Sequence, residues 1–287
     1  YEGKYPLSTA IGRPLLAKLA VKIAEKENAD AVAHGCSGKG NDQVRIDGTV
    51  ITLNPKMKIV APVREWNMTR DKEIEYAKKN NIPVPADLNR PYSTDENLWG
   101  KSTECGILED PNKEPPKDVF NFVTLPEKAP NKPEYVQLEF EKGIPIKLNG
   151  KKMKLSNLII QLNKIAANHG VGIIDMIEDR IVGLKSREVY ECPAATCIIE
   201  AHKELEKFTS TIHENMFKPV IDNKWSYLAY AGLWYDPLMQ NLNAFIDKMS
   251  EKVNGTITLK LYKGSVIVVG RKSKYALYDK NLATYNV

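Results

Sequence analysis

The stretch Ala29-Asp30-Ala31-Val32-Ala33-His34-Gly35-Cys36-Ser37-Gly38-Lys39-Gly40 leads from a short apolar run into a glycine-rich loop. This pattern predicts a buried strand that ends at the loop. A helix that begins at Pro14 is predicted before it, and a second strand is predicted over residues 57–62. A helix capped by Thr69 follows, and this order of elements indicates a parallel α/β sheet. The apolar face of the first helix is predicted to consist of Leu15, Leu16, Leu19, Ala20, Ile23 and Ala24.

The second half of the chain has the pattern of an α+β domain. Six of the 17 prolines lie between Asp110 and Pro133, and composition alone would place a domain boundary or a surface loop there. A hairpin is predicted over residues 135–148, turning at Lys142-Gly143, and another over 256–269, turning at Gly264. A helix is predicted to begin at a cap at Ser156, with Leu155 packed on Ile160. Its inward residues are predicted to be Leu158, Ile159, Leu162 and Ile165. Further helices are predicted over residues 194–208, 213–231 and 237–252.

Composition excludes several classes of protein. Apolar residues make up 43% of the 287 residues and charged residues 27%, which is typical of a globular protein. No apolar run reaches the ~18 residues that span a bilayer, so a membrane protein is excluded and a cytoplasmic location is expected. The net charge of +5 comes from basic residues mixed with acidic ones, a pattern that does not favour nucleic-acid binding. The four cysteines lack zinc-site spacing and are expected to be buried, reduced thiols: Cys36, Cys105, Cys192 and Cys197.

The run from His34 to Arg45 carries most of the candidate chemistry. Its three glycines allow a ligand to approach the backbone closely, and they are expected to adopt positive φ angles and turn N–H groups toward an anion. Lys39 adds a positive charge, and the loop follows a strand, where open α/β sheets bind ligands. The spacing does not match a Walker loop. The further polar groups of the run are Ser37, Asn41, Asp42 and Arg45.

Two more polar clusters lie farther along the chain. The first spans residues 92–98 and 102–104, and by itself it fits a helix cap with solvated acids. The second spans residues 168–191, where His169 is expected to close a helix. Within it, Glu178 stands among apolar residues, and a half-buried carboxylate needs a cationic or hydrogen-bonding partner. His202 and His213 have no neighbours that suggest catalysis and are interpreted as structural.

Together these runs resemble the argininosuccinate synthase family. The resemblance covers nearly the whole chain in order, and its motifs are Tyr1-Glu2-Gly3-Lys4-Tyr5-Pro6-Leu7-Ser8-Thr9, Gly12-Arg13-Pro14, the His34–Arg45 run, Ser93-x-Asp95-Glu96-Asn97-Leu98, Gly106-Ile107-Leu108-Glu109-Asp110-Pro111, His169-Gly170-Val171-Gly172 and Gly183-x-Lys185-Ser186-Arg187. It implies a homotetrameric ligase of arginine biosynthesis that joins L-citrulline to L-aspartate. ATP, with Mg2+, would be the co-substrate, and AMP and pyrophosphate would be released through a citrullyl-adenylate.

The resemblance also implies roles for individual residues. Lys39, Asn41 and Asp42 would be catalytic, Gly35 would lie against ATP, and no residue would hold a resident metal. Aspartate would be held by Ser37, Asn41 and Asp42. Citrulline would be held by Tyr5, Thr9, Asn41, Arg45, Ser93, Ser102, Glu178 and Tyr190.

The domains implied are residues 1–88, part of an adenine nucleotide α-hydrolase-like parallel-sheet domain, and residues 89–287, an α+β synthetase domain. The chain departs from the family at Ala10, where a hydroxyl residue is usual, and at Ile173, where an arginine would form an ion pair. It also contains no Ser-Gly-Gly-x-Asp-[Ser/Thr] pyrophosphate loop and no C-terminal tail of the kind that family members use for oligomer contacts. Truncation at both ends is therefore expected, and without the phosphate loop no turnover by this chain alone is expected.

Two alternative functions stand beside the ligase. One is a degenerate family member that binds amino acids without adenylating them. The other is a different ATP-pyrophosphatase-type ligase, such as an amidotransferase synthetase or a tRNA thiolase. That alternative is disfavoured because it would not explain Ser93, Ser102, Glu178 and Tyr190 together.

Overall fold

The computed structural model describes residues 1–68, 70–83 and 92–285. The predicted cap at Thr69 and the predicted boundary between residues 88 and 89 lie outside these residues. Within them, the strands are β1 (Ala31–Ala33), β2 (Lys58–Val60), β3 (Ser93–Asn97), β4 (Gly100–Glu104), β5 (Glu134–Glu141), β6 (Ile144–Leu148), β7 (Lys151–Lys152), β8 (Ile173–Asp179), β9 (Lys185–Glu191), β10 (Gly255–Tyr262) and β11 (Ser265–Lys272).

The helices alternate with strands near the start of the chain and are concentrated in its second half. Three short 3-10 turns lie between β4 and β5. In the described residues the α-helices are α1 (Ser8–Lys26), α2 (Asn41–Leu53), α3 (Pro62–Glu65), α4 (Arg70–Lys79), α5 (Leu155–Asn168), α6 (Pro193–Thr209), α7 (Ile212–Tyr230), α8 (Pro237–Ser250) and α9 (Lys280–Ala283). None of them is long and apolar enough to cross a membrane.

The first part of the chain confirms the predicted parallel sheet. β1 and β2 pair in parallel, with Val32 opposite Ile59. α1 and α2 pack against each other and enclose a small core with Val32 and Val50. The glycine-rich loop leaves the carboxyl end of β1 and runs directly into α2, so side chains from the loop and from the first helical turn share one edge of the sheet.

The predicted apolar face of α1 is wrong for its four large residues, whereas its alanines Ala20 and Ala24 do pack in the core. The helix begins at Ser8 rather than Pro14, and its buried positions carry mostly small residues, such as Ala10, Ala17 and Val21. Small side chains let α2 approach closely, so this row faces inward although it is the less hydrophobic one. The larger members of the predicted face are 46–60% exposed: Leu15, Leu16, Leu19 and Ile23.

The predicted backbone of the glycine loop is also wrong. None of Gly35, Gly38 and Gly40 has a positive φ angle. Gly40 is extended and serves as the N-cap of α2, and the residues after it are helical rather than looped. The loop therefore brings its polar groups together through a helix N-terminus, and no left-handed turn is needed.

The largest core lies in the second half of the chain. β5 and β6 form the predicted hairpin, β10 and β11 form the other, and the strand order of this antiparallel sheet is β11-β10-β5-β6-β7. α5 and α6 pack on this sheet. The strands contribute every second side chain to the contact, and each helix contributes the apolar side chains of one face. The core side chains that these elements share include Val136, Leu138, Leu158, Leu162, Leu205, Ile257 and Leu259.

Several local predictions differ from the structure. Residues 93–97 form β3 and not a helix cap, because they pair with β4 from Ser93 opposite Glu104 to Asn97 opposite Gly100. α5 begins at Leu155, two residues earlier than predicted, and its N-cap is Lys154 rather than Ser156. Leu155 and Ile160 are both exposed. Of the four cysteines, Cys192 and Cys197 are buried as predicted, but Cys36 and Cys105 are only half-buried.

A second antiparallel sheet positions the polar clusters. Its strand order is β3-β4-β9-β8. Tyr190 of β9 lies opposite Ser102 of β4, and Ser186 lies opposite Glu178 of β8. His169 ends α5, as expected, and its buried ring contacts Glu134 at 2.9 Å.

Candidate active site

A cavity of about 310 Å³ lies where the start of α2 meets the face of the β3-β4-β9-β8 sheet. Three stretches that are far apart in the sequence enclose it: the α1 region, the glycine loop with α2, and strands β3, β4, β8 and β9. Eleven of the twelve predicted site residues line it: Tyr5, Thr9, Gly35, Ser37, Asn41, Asp42, Arg45, Ser93, Ser102, Glu178 and Tyr190.

Lys39 is the exception. Its side chain is exposed and does not line the cavity, although its backbone carbonyl accepts a hydrogen bond from Arg180 at 3.3 Å. Gly35, by contrast, faces open space, because a Cβ at this position would meet no other atom. A ligand could therefore lie directly against the Gly35 backbone.

One side of the cavity, the helix wall, consists of Arg13, Asn41, Asp42 and Arg45. Asp42 stands in the first turn of α2, where the helix dipole favours a carboxylate. It accepts hydrogen bonds from Arg13 Nε at 2.6 Å and from Arg45 Nη1 at 3.0 Å. The second arm of Arg13 donates to Asp95 at 2.6 Å. The charges of this wall are thus already paired within the protein.

Asn41 is held in one orientation by two hydrogen bonds. Its Oδ1 accepts from the backbone N–H of Ile181 at 2.9 Å, and its Nδ2 donates to the hydroxyl of Tyr230 at 2.7 Å. A carboxamide has two N–H groups and two lone pairs on its oxygen. One N–H and one lone pair of Asn41 therefore remain for a ligand.

The opposite side, the sheet wall, consists of Ser102, Glu104, Glu178, Arg180, Glu188 and Tyr190. Successive side chains of a strand point to opposite faces, so Ser102 and Glu104 of β4 share one face, as do Glu188 and Tyr190 of β9. Thr9 Oγ1 lies 3.5 Å from Ser102 Oγ and joins α1 to this wall.

Glu178 is a buried carboxylate that two tyrosines hold. It is 3% exposed, and its two oxygens accept from the hydroxyls of Tyr190 and Tyr230, each at 2.6 Å. Burial raises the pKa of the Tyr190 phenol, which therefore stays protonated and donates. Among the described residues no cation pairs with Glu178. Its negative charge is thus solvated by hydroxyls and available to a cationic ligand group.

Comparison with known proteins matches the chain to one family over almost its whole length. Residues 1–83 match the model of the arginosuccinate synthase N-terminal HUP domain, and residues 92–287 match that of the arginosuccinate synthase C-terminal domain. The chain belongs to the argininosuccinate synthase family. The two domain models confirm the predicted fold class. Members of this family are carbon–nitrogen ligases, which confirms the predicted enzyme class.

Curated relatives agree with the family models. The chain is 57% identical over 286 residues to the argininosuccinate synthase of Oceanobacillus iheyensis, an alignment that covers 100% of the chain and 69% of the relative. It is 56% identical over 285 residues to the enzymes of Bacillus thuringiensis and Halalkalibacterium halodurans, covering 99% of the chain and 71% and 70% of those relatives. Identity at this level across both domains does not favour the degenerate-member hypothesis.

Although the argininosuccinate synthase motifs contain Arg13 and Asp95, the roles drawn from them leave out five charged residues of the cavity. Arg13, Asp95, Glu104, Arg180 and Glu188 also line it and carry most of its ion pairs. The signal that could have found Glu104 and Glu188 is the two-residue strand period, which places them on the same faces as Ser102 and Tyr190. Because residues 92–98 were predicted to cap a helix, the strand period was not applied to this region.

Glu188 is a buried carboxyl group of the sheet wall that lies beside a second carboxylate, Glu104. Burial raises the pKa of its carboxyl group, and the nearby Glu104 carboxylate raises it further. Arg180 lies 2.6 Å from Glu104 and 3.4 Å from Glu188, so its charge compensates Glu104 first. Glu188 therefore holds a proton at neutral pH and can donate a hydrogen bond.

The tyrosine beside this wall is packed rather than free. Tyr5 stacks on Tyr190 with ring centroids 4.2 Å apart, and its hydroxyl accepts from the backbone N–H groups of Thr9 and Ala10 at 2.9 and 3.3 Å. At Ala10, one of the two expected departures from the family, the chain thus makes a backbone contact within the site. Near Ile173, the other departure, Asp175 pairs with Arg187 at 2.6 Å.

Proposed function

We propose that this cavity binds L-citrulline and L-aspartate side by side for their ATP-dependent ligation to argininosuccinate, with release of AMP and pyrophosphate. The observation that carries the proposal is the meeting of three distant polar stretches around one cavity of about 310 Å³. An amino acid brings one ammonium and one carboxylate group. The cavity offers both kinds of partner, because its walls carry carboxylates as well as guanidinium groups.

Citrulline is proposed to lie between Glu178 and Arg45. Its ammonium group would pair with Glu178, which accepts hydrogen bonds from two hydroxyls and forms no ion pair among the described residues. Its carboxylate would accept from Arg45, whose described hydrogen bonds use only Nε and Nη1. The neutral ureido group suits hydroxyls and amides, and the remaining proposed contacts are Tyr5, Thr9, Asn41, Ser93, Ser102 and Tyr190.

Aspartate is proposed to lie at the N-terminus of α2. Ser37 and Asn41 would contact it, and Asp42 would face its ammonium group. Asp42 already lies between two guanidinium groups, which can in turn attract the carboxylates of the ligand. Asn41 lines the cavity and has one N–H and one lone pair left, so it could bond to both amino acids and help to set the distance between them.

The nucleotide is proposed to approach along Gly35, with Lys39 near its phosphates from outside the amino-acid cavity. The described residues contain no group of three or more His, Cys, Asp or Glu side chains that could hold a metal. Magnesium is therefore proposed to enter with ATP, bound to the phosphate oxygens.

The chemistry would proceed in two steps. The ureido oxygen of citrulline attacks the α-phosphorus of ATP, forming an O–P bond and releasing pyrophosphate. The amine of aspartate then attacks the ureido carbon, a C–N bond forms, and the C–O bond to AMP breaks. The cavity would contribute mainly by positioning the two amino acids, which can lower a barrier by several kcal/mol. The homotetramer, the cytoplasmic location and the boundary between residues 88 and 89 remain proposals from family resemblance.

Calorimetric titration of the purified chain tests the proposal. Citrulline and aspartate are expected to bind, and Glu178→Gln is expected to weaken citrulline binding about 30-fold, because the ammonium of citrulline loses the anionic partner proposed for it. Glu139→Gln is the matched control, since Glu139 pairs with Lys147 on the other sheet and is expected to leave binding unchanged. Absence of citrulline binding, or equal losses in both variants, would contradict the proposal.

A further inference from the structure

Tyr230 is a buried residue beside the cavity that neither the sequence motifs nor the predicted site includes. It is the last residue of α7 and is 1% exposed. It is 189 residues away from Asn41 in the sequence, yet the two side chains are hydrogen-bonded. Its ring also stacks on Tyr1 and meets Tyr5 edge-on at 6.3 Å.

The hydroxyl of Tyr230 joins two of the proposed ligand-binding residues. It donates to Glu178 Oε1 at 2.6 Å and accepts from Asn41 Nδ2 at 2.7 Å. A phenol has only one proton, so these two bonds are consistent only in this direction. Burial and the Glu178 carboxylate raise the pKa of this phenol, which keeps the proton in place.

The backbone and ring of Tyr230 hold a third residue, Arg45. Arg45 Nε donates to the Tyr230 carbonyl at 2.8 Å, and its guanidinium lies 4.8 Å from the centroid of the ring. This carbonyl belongs to the last turn of α7, where intrahelical donors run out and a cation is favoured by the helix dipole. The turn after α7 also lies close to Arg45, because a Cβ on Gly232 would lie only 2.8 Å from the Cα of Arg45.

We propose that Tyr230 is a positioning residue that couples the citrulline and aspartate subsites. The inference rests on the proposed function, in which Glu178 binds citrulline and Asn41 contacts both amino acids. A ligand that orders the Glu178 carboxylate also orders the Tyr230 hydroxyl, and through it the amide of Asn41. Citrulline should therefore strengthen aspartate binding, and by thermodynamic linkage aspartate should strengthen citrulline binding by the same factor.

Tyr190 provides a comparison within the same site. Its hydroxyl donates to the other oxygen of Glu178 and is not bonded to Asn41 in the described contacts. Loss of the Tyr190 hydroxyl should weaken citrulline binding and leave the coupling intact. Loss of the Tyr230 hydroxyl should weaken citrulline binding and abolish the coupling.

The test is titration of aspartate with and without saturating citrulline, at 10 °C so that each variant stays folded. In the wild type, citrulline is expected to tighten aspartate binding at least fivefold. Tyr230→Phe keeps the ring contacts but should reduce this ratio to within twofold of one and weaken citrulline binding about tenfold. Tyr190→Phe should keep the wild-type ratio. Tyr227→Phe, at a 43% exposed position one turn earlier on α7, is the control for general effects on the helix.

The outcomes separate the two levels of the hypothesis. If the wild type binds neither amino acid, the proposed function fails, and the role of Tyr230 fails with it. If the wild type binds both but shows no coupling, or if Tyr230→Phe retains the wild-type ratio, only the role of Tyr230 is overturned. A merely structural role would lower the unfolding temperature of Tyr230→Phe without changing the ratio.

Discussion

The helix wall and the sheet wall of the cavity balance their charges differently. On the helix wall, Asp42 lies between Arg13 and Arg45, so every charge there has an opposite partner. On the sheet wall, carboxyl groups outnumber cations, and Arg180 is the one guanidinium among Glu104, Glu178 and Glu188. Two hydroxyl donors stabilise the Glu178 carboxylate, and the raised pKa of Glu188 favours its neutral form, so the excess negative charge is reduced. A preformed ion pair fixes geometry, whereas an uncompensated carboxylate attracts a cationic ligand group.

The largest effect that separates the walls is expected for Asp42→Ala. Aspartate affinity should fall at least 30-fold, because the ammonium of aspartate loses its partner at the start of α2. Citrulline affinity should change less than threefold, since Arg45 keeps its bond to the Tyr230 carbonyl. Titration calorimetry with each amino acid measures both values.

Asp47→Ala is the matched control for that experiment. Asp47 stands on the same helix, is similarly half-buried and also pairs with an arginine, Arg64, but it does not line the cavity. It should leave both affinities within twofold of the wild type. A collapse of citrulline affinity in Asp42→Ala with unchanged aspartate affinity would show that the two subsites are assigned the wrong way round.

A smaller effect is expected on the sheet wall, in stability. Because the pKa of Glu188 is raised in the folded chain, the unfolded chain binds fewer protons above the ordinary value of 4.5. The free energy of unfolding should therefore fall as pH rises above about 4.5, by up to ~1.4 kcal/mol per pH unit from this group. Glu188→Gln mimics the protonated form and removes this dependence.

Denaturant unfolding at pH 5 and pH 8 measures that effect. Relative to the wild type, Glu188→Gln should gain about 1 kcal/mol or more between these pH values. Glu109→Gln, at an exposed position, should show no such gain. Parallel curves for Glu188→Gln and the wild type would mean that Glu188 is ionised in the folded chain, and that the sheet wall carries one more negative charge.

The smallest effect on amino-acid binding is expected for Lys39→Ala. The Lys39 side chain belongs to neither wall, so citrulline and aspartate affinities should stay within twofold of the wild type. MgATP affinity should fall severalfold at low salt if this cation faces the phosphates. Titrations with citrulline, aspartate and MgATP measure these affinities. A loss of affinity for the amino acids alone would contradict the prediction and would mean that Lys39 belongs to the helix wall.

Sequence patterns predicted the elements far better than their contacts. The parallel strands, the two hairpins of the larger sheet and the helices of the second half all appear close to their predicted places. α1 is the informative failure, because hydrophobicity selected Leu15 and Ile23 while packing against α2 selected Ala17 and Val21. Close approach of two helices rewards small side chains, and a hydrophobic pattern in one helix contains no information about its neighbour.

The sequence by itself determined the order of elements, the two fold classes and the family motifs, because strand and helix periods and turn residues act over a few neighbouring positions. Only the tertiary structure decided that Lys39 lies outside the cavity, that Glu188 retains a proton and that Tyr230 joins Asn41 to Glu178. Those properties depend on burial and on groups brought together from distant parts of the chain. Burial and long-range neighbours are set by packing, which no local pattern specifies.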